Sequence, residues 1–129
     1  MEQKYLLDSN VVIGYLGNKL PLAGMRYISA IVNAVPNISA ITKIEVLRFN
    51  TTPDSYRILQ EFIATSVVYP ISEKIVDMTI NLCRQTKIKI PDAIIAATCL
   101  AEQMILLTRN IVDFKRLPDL RIENPWVAQ

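Results

Sequence analysis

The sequence predicts an α/β protein: a mostly parallel central sheet of about four to five strands, flanked by helices. Three observations lead there. Short apolar or β-branched runs at Tyr5–Leu7, Asn37–Ala40, Val67–Tyr69 and Met104–Leu107 alternate along the chain with longer stretches of helical periodicity. Helical segments separate successive runs, as in βαβ units with right-handed crossovers. The 129 residues, 51% apolar and 20% charged, suffice for one hydrophobic core and not for two, so the chain reads as a single domain over 1–129.

In order, Tyr5–Leu7 is a strand that stops at the polar triplet Asp8-Ser9-Asn10, after which Val11, Val12, Gly14 and Tyr15 begin a helix. A second helix covers Met25 to Val32. Asn37–Ala40 is a short strand leading into the segment Ile41–Phe49. Pro53 opens a helix to about Ala64, and Val67–Tyr69 has the β-branched and aromatic content of a buried strand. Ser72 followed by Glu73 fits a helix N-terminus. Pro91 is tolerated in the first turn of a helix running to about Gln103. The strand Met104–Leu107 comes next, and a last helical turn lies near Ile111–Leu117. In such sheets ligands bind beyond the carboxyl ends of the strands, where Asp8 and Thr108-Arg109-Asn110 fall.

Composition excludes several chemistries. There is no histidine, which removes Ser-His-Asp and Cys-His catalysis and histidine-ligated metals together. Cys83 and Cys99 are far apart with no neighbouring ligand, so they read as reduced, buried hydrophobes rather than a zinc framework or disulfide scaffold. The start of the chain lacks a secretory pattern, and the longest uncharged apolar run, Ala93–Ala101, is about half the roughly 18 residues that span a bilayer. A cytoplasmic protein with no membrane contact is expected. The net charge of +2 decides nothing about nucleic acid.

Chemistry must then run on carboxylates. Asp8 ends a strand at the predicted crevice; it reads either as a ligand or as a helix N-cap. Glu45 is flanked on one helical face by Ile41 and Phe49, four residues to either side, so it lies inside an apolar stripe and needs a metal or a partner such as Lys43 or Arg48. Asp92 opens a helix that is apolar all round, Ala93 to Thr98, and is either a site residue at a buried helix start or a complement to the helix dipole. Asp113 lies near the fourth strand's carboxyl end, beside Lys115 and Arg116, which offer it a surface pairing instead.

Taken together, these segments resemble PIN-domain nucleases, particularly the VapC-type toxins of bacterial toxin–antitoxin pairs, over nearly the whole chain. Leu6-Leu7-Asp8-Ser9-Asn10-Val11-Val12-Ile13 is similar to the family's opening segment with its first metal-binding aspartate, Ser9 standing where threonine is commoner. Ile38-Ser39-Ala40-Ile41-Thr42-Lys43-Ile44-Glu45-Val46 resembles the segment with the family's glutamate, and Pro91-Asp92-Ala93-Ile94-Ile95-Ala96-Ala97-Thr98 its third acidic motif. Leu107-Thr108-Arg109-Asn110-Ile111-Val112-Asp113-Phe114 resembles the fourth, with Asn110 where many members carry an aspartate, so the fourth acidic role passes to Asp113. The tail Leu120–Pro125 matches the usual ending.

The resemblance implies an endoribonuclease using Mg²⁺ or Mn²⁺, with Asp8, Glu45, Asp92 and Asp113 as catalytic metal ligands and Ser9, Asn10, Thr108 and Asn110 in support. Carboxylate oxygens suit such hard cations. It also implies a homodimer, an RNA substrate and a cognate antitoxin that covers the acidic site. Independently, so apolar a chain of this size calls for an oligomer or a standing partner. The helix at Met25–Val32 is a candidate contact or ordinary core. Arg48, Arg84, Lys87, Lys89, Arg109 and Lys115 are candidates for lining the approach to phosphates, or a solvated face. The competing readings are a non-catalytic PIN-like RNA-binding module and a phosphoacceptor receiver domain. The receiver fits poorly, because Asp8 stands alone after the first strand and the third ends Tyr69-Pro70.

Overall fold

The computed structural model describes residues 3–127; the ends of the expected 1–129 domain, residues 1, 2, 128 and 129, lie outside the described residues. The element order is β1 (Lys4–Leu7), α1 (Ser9–Leu16), α2 (Leu22–Ala34), β2 (Asn37–Ser39), α3 (Ala40–Leu47), α4 (Pro53–Thr65), β3 (Val67–Tyr69), α5 (Glu73–Gln85), α6 (Ile90–Glu102), β4 (Met104–Leu107), α7 (Ile111–Phe114) and β5 (Ile122–Glu123). The strands form one five-stranded sheet in the order β3-β2-β1-β4-β5, and all its pairings are parallel. The α/β architecture read from the sequence is therefore the observed one.

Successive residues of a strand point to opposite faces, and the central strands use both. Leu7 and Leu107 enter one core with Val11, Val12, Ile28, Ile38 and Phe62, whereas their neighbours Leu6 and Leu106 enter the other with Ile95, Ala96, Cys99 and Phe114. Helices cover both faces, so these strands read as unbroken apolar runs rather than as alternation. Cys83 and Cys99 are free thiols, and burial, followed by the Asp8 charge, pushes the Cys99 thiol well up from its ordinary value.

Local signals set most helix starts. Thr52 accepts from the Ser55 N–H and Ser72 from the Ile75 N–H, at 3.2 and 3.3 Å, while Ser39 Oγ takes the Ile41 N–H and turns β2 into α3 without a loop. Two expectations need correction. The last helix stops at Phe114 instead of Leu117; Lys115 and Arg116 continue as a turn, and Pro118 disfavours helical geometry at Leu117 itself. Helix α3 ends at Leu47, so Phe49 lies past it, 44% exposed, and does not flank Glu45 on a helical face. Helix α2, open between contact and core, sends Ile28 fully into the core, with Met25, Tyr27, Ile31 and Val32 half-buried against the same cluster.

Candidate active site

The chain adds β2 and β3 on one side of β1 and then returns to place β4 on the other, so the crossovers reverse direction between β1 and β4. That is the switch point of an open parallel sheet, and the crevice opens at the strands' carboxyl ends. Asp8 directly follows β1 and Thr108 directly follows β4. The Asp8 N–H bonds Leu107 O at 3.0 Å and the Thr108 N–H bonds Glu123 O at 3.1 Å, which extends the ladder to the lip of the crevice.

Asp8 is 5% exposed and fully used. One oxygen accepts the Ser9 N–H at 2.8 Å as the N-cap of α1; the other accepts Thr108 Oγ1 at 2.8 Å and Asn10 Nδ2 at 3.2 Å. The cap reading is therefore observed, and the same side chain stands at the lip of the crevice where the site reading puts it. Burial raises its pKa above the ordinary carboxylate value, the hydrogen bonds from Thr108, Ser9 and Asn10 oppose the rise, and the Asp113 charge adds to it.

Around Asp8 the other three acids converge electrostatically. Glu45, half-buried on α3, is raised by burial and then by the charges of Asp8 and Asp92; a Ser9 hydrogen bond and, least of all, Arg48 pull the other way. Asp92, in the first turn of α6, is raised by burial, by Asp8 and by Asp113, with Lys89 opposing. Asp113 is exposed on α7. Asn110 Nδ2 donates to its Oδ2 at 2.6 Å, and the Asn110 N–H in turn donates to Thr108 Oγ1 at 3.0 Å. Thr108 thus connects Asp8 to Asn110, and Asn110 to Asp113.

The donor set fits a hard divalent cation. It consists of carboxylates and hydroxyls, and Glu45 Oε1 is buried with no hydrogen-bond partner, an acceptor whose desolvation nothing offsets. Among the described residues no three Asp, Glu or Cys side chains lie close enough together to hold a metal ion as they stand. The same unpartnered oxygen disfavours the structural salt bridge as the role of Glu45.

Two features escaped sequence reasoning. Trp126 stacks under the Arg109 guanidinium, 4.9 Å from its carbon to the ring centroid, and Tyr27 donates a short hydrogen bond to Glu123 while meeting Tyr5 edge-on. The former had one signal, a lone tryptophan after Asn124-Pro125. The latter had none, because its partners lie on three separate elements.

Among the described residues no helix is long and apolar enough to cross a membrane. No curated protein matches the chain. Among solved structures, it resembles a toxin–antitoxin complex from Klebsiella pneumoniae at 27% identity and TM-score 0.76, covering 97% of this chain and 100% of the other. It also resembles DNA-bound VapBC from Salmonella typhimurium at 25% identity and TM-score 0.79, covering 96% and 99%. VapBC2 from Rickettsia felis, bound to a promoter DNA fragment, shares the fold at 23% identity and TM-score 0.79, covering 95% and 98%. The family model that matches residues 5–120 is the PIN domain, and since it runs from β1 to the approach of β5 and takes in all four acids of the crevice, the chain belongs to the PIN domain family.

Proposed function

We propose that this protein is a divalent-metal-dependent endoribonuclease of the cytoplasm and the toxin of a toxin–antitoxin pair. One observation carries the reading: Asp8, Glu45 and Asp92, each raised by burial and by the charge of a neighbouring acid, stand at the switch point of the sheet, and Glu45 keeps a buried oxygen without a hydrogen-bond partner. Asp8, Glu45, Asp92 and Asp113 are the residues that would hold Mg²⁺ or Mn²⁺. When bound, such an ion supplies charge that activates water and offsets the negative charge developing on the scissile phosphate.

The chain's own residues do the positioning. Thr108, Asn10 and the Ser9 N–H fix both oxygens of Asp8, so this ligand is oriented before anything binds. Asn110 holds Asp113 in the same way from the other side of Thr108. With no histidine in the chain, proton transfer falls to water and to Glu45 and Asp92, which burial holds above the ordinary carboxylate value.

Two of the matched structures at 25% identity or more are a toxin–antitoxin complex and a DNA-bound VapBC, and this likeness supports an antitoxin partner. The apolar face shared by α5 and α6 supports a homodimer, because a cavity of about 440 Å³ there is walled by Ile71, Val76, Ile80, Ile90 and Ile94. Cleavage of purified RNA with Mn²⁺ and with chelator tests the activity. Asp8→Asn and Asp92→Asn should each abolish metal-dependent cutting while keeping the fold, and expression of the wild type alone should arrest growth. RNA that is bound but left intact by the metal-loaded wild type would return the protein to the non-catalytic binding module.

A further inference from the structure

A phosphodiester strand is repelled by the acids that hold the metal, so a PIN-type crevice needs cationic groups placed where neighbouring phosphates pass. The basic side chains here are exposed at the surface. Arg109 is different. It follows β4 directly, and its N–H bonds Asn10 Oδ1 at 3.0 Å, while Asn10 Nδ2 bonds Asp8 Oδ2 at 3.2 Å. The backbone of Arg109 is thus two hydrogen bonds away from the buried ligand.

Its side chain is exposed but directed. The guanidinium lies 4.9 Å from the centroid of Trp126, a contact that uses its face and leaves its N–H donors free; among the described residues none of them has a protein acceptor. Trp126 is itself seated with care. A Cβ on Gly14 would stand 2.7 Å from the indole ring, and one on Gly24 would stand 2.1 Å from the Pro125 carbonyl oxygen, so both helices make room for this terminal segment. Asn124 Oδ1 accepts the Trp126 N–H at 2.9 Å and turns the chain there. Arg109 and Trp126 also share the wall of a groove of about 1010 Å³ with Ser9 and Asn10, so the groove runs up to the acidic centre. On the far side a cavity of about 440 Å³ carries Lys87, Lys89 and Arg116 beside Asp92 and Asp113. A single strand laid across the acids meets cations on both flanks.

We infer that Arg109 binds a backbone phosphate of the RNA strand next to the scissile one, and that Trp126 is the positioning residue that holds the guanidinium in line. The inference rests on the ribonuclease reading for its substrate class. The bland alternative is a surface stack that adds a little to stability and nothing to binding.

The test is the affinity of the full-length protein for a short single-stranded oligoribonucleotide, in chelator and across a range of salt, beside kcat and KM with Mn²⁺. Arg109→Gln should weaken binding roughly tenfold, since it removes a charge-assisted hydrogen bond. It should also lower the salt slope by about 0.7, the value of one phosphate contact on a single strand, and raise KM more than it lowers kcat. Trp126→Leu should weaken binding and Trp126→Phe should largely restore it. In the wild type, emission from the chain's one tryptophan should change on adding RNA. Wild-type affinity and salt slope in Arg109→Gln would overturn the inference, whether the variant melts lower or instead loses antitoxin binding. An emission indifferent to saturating RNA would overturn it as well. Metal-dependent cutting that persists with KM unchanged in Arg109→Gln sinks the inference alone, whereas Arg109-dependent binding without cutting in the wild type sinks the nuclease reading alone.

Discussion

Asp8 and Glu45 divide the work of the site by how their oxygens are satisfied. Both oxygens of Asp8 accept protein hydrogen bonds, so its place is set by the fold, while Glu45 Oε1 is buried and bonded to nothing. An unsatisfied buried acceptor beside like charges costs stability in the absence of a cation and returns it when one binds. Glu45→Gln should therefore melt at or above the wild type in chelator, since one charge fewer is desolvated and repelled. The wild type should gain about 2.7 kcal/mol at a metal concentration one hundred times its dissociation constant, and the variant clearly less. Thermal melts of both proteins with Mn²⁺ and with chelator decide it. A loss in the variant that is the same with and without metal would mean that Glu45 is half of a structural ion pair.

At the scale of elements, α5 separates packing from interface. Ile75 and Thr79 are buried on its inner face, but Val76 and Ile80 are 42% and 51% exposed on the outer one, and Ile90 at the start of α6 is 65% exposed beside them. An amphipathic helix buries one stripe; a second apolar stripe facing solvent marks a contact. Met25–Val32, which the sequence left as contact or core, places Ile28 in the core. Ile80→Glu, which places a charge in the centre of the α5–α6 face without touching the acidic crevice, should convert a dimer to a monomer in light-scattering measurements while leaving the melt cooperative. An unchanged mass would remove this face as the interface.

For the molecule as a whole, the acids couple stability to pH. Asp8, Glu45 and Asp92 are all raised in the folded state, chiefly by burial, so the folded protein binds protons more tightly than the unfolded chain does. Their contribution is fully present below the unfolded value of about 4 and is lost as pH climbs through the raised folded values. In chelator the wild type should therefore lose stability relative to Asp8→Asn as pH rises from about 4, because the asparagine has no proton to give up. Melting curves of both proteins across that range check the sign. A gap that moves in favour of the wild type with rising pH would contradict the desolvated cluster. Divalent metal should bind more weakly on the acid side for the same reason, as protons compete for the same oxygens.

Much of this was legible in local pattern. Short β-branched runs, serine and threonine caps and Pro53 and Pro91 in first turns mark strands and helices within a few residues, because propensity and capping act over one or two turns. The positions of Asp8 after a strand and of Asp92 in a helix's first turn could be read in the same way. β5 could not: Arg121-Ile122-Glu123 has one apolar residue, and it is a strand because Leu106 and Leu107 offer it an edge. Nor could local pattern show that Phe49 leaves the helix or that the open apolar face belongs to α5 and α6. The charge effects that link Asp8 with Glu45, Asp92 and Asp113, the bare oxygen of Glu45 and the stack of Trp126 on Arg109 come from strand order and helix packing, which join residues far apart in the chain. Sequence alone determined the fold class and which acidic groups are candidates for the chemistry, since residue types and local geometry are written into it directly. The tertiary structure decided which of them meet and which oxygen stays unpaired, because burial and contact are set by the packing of the whole chain.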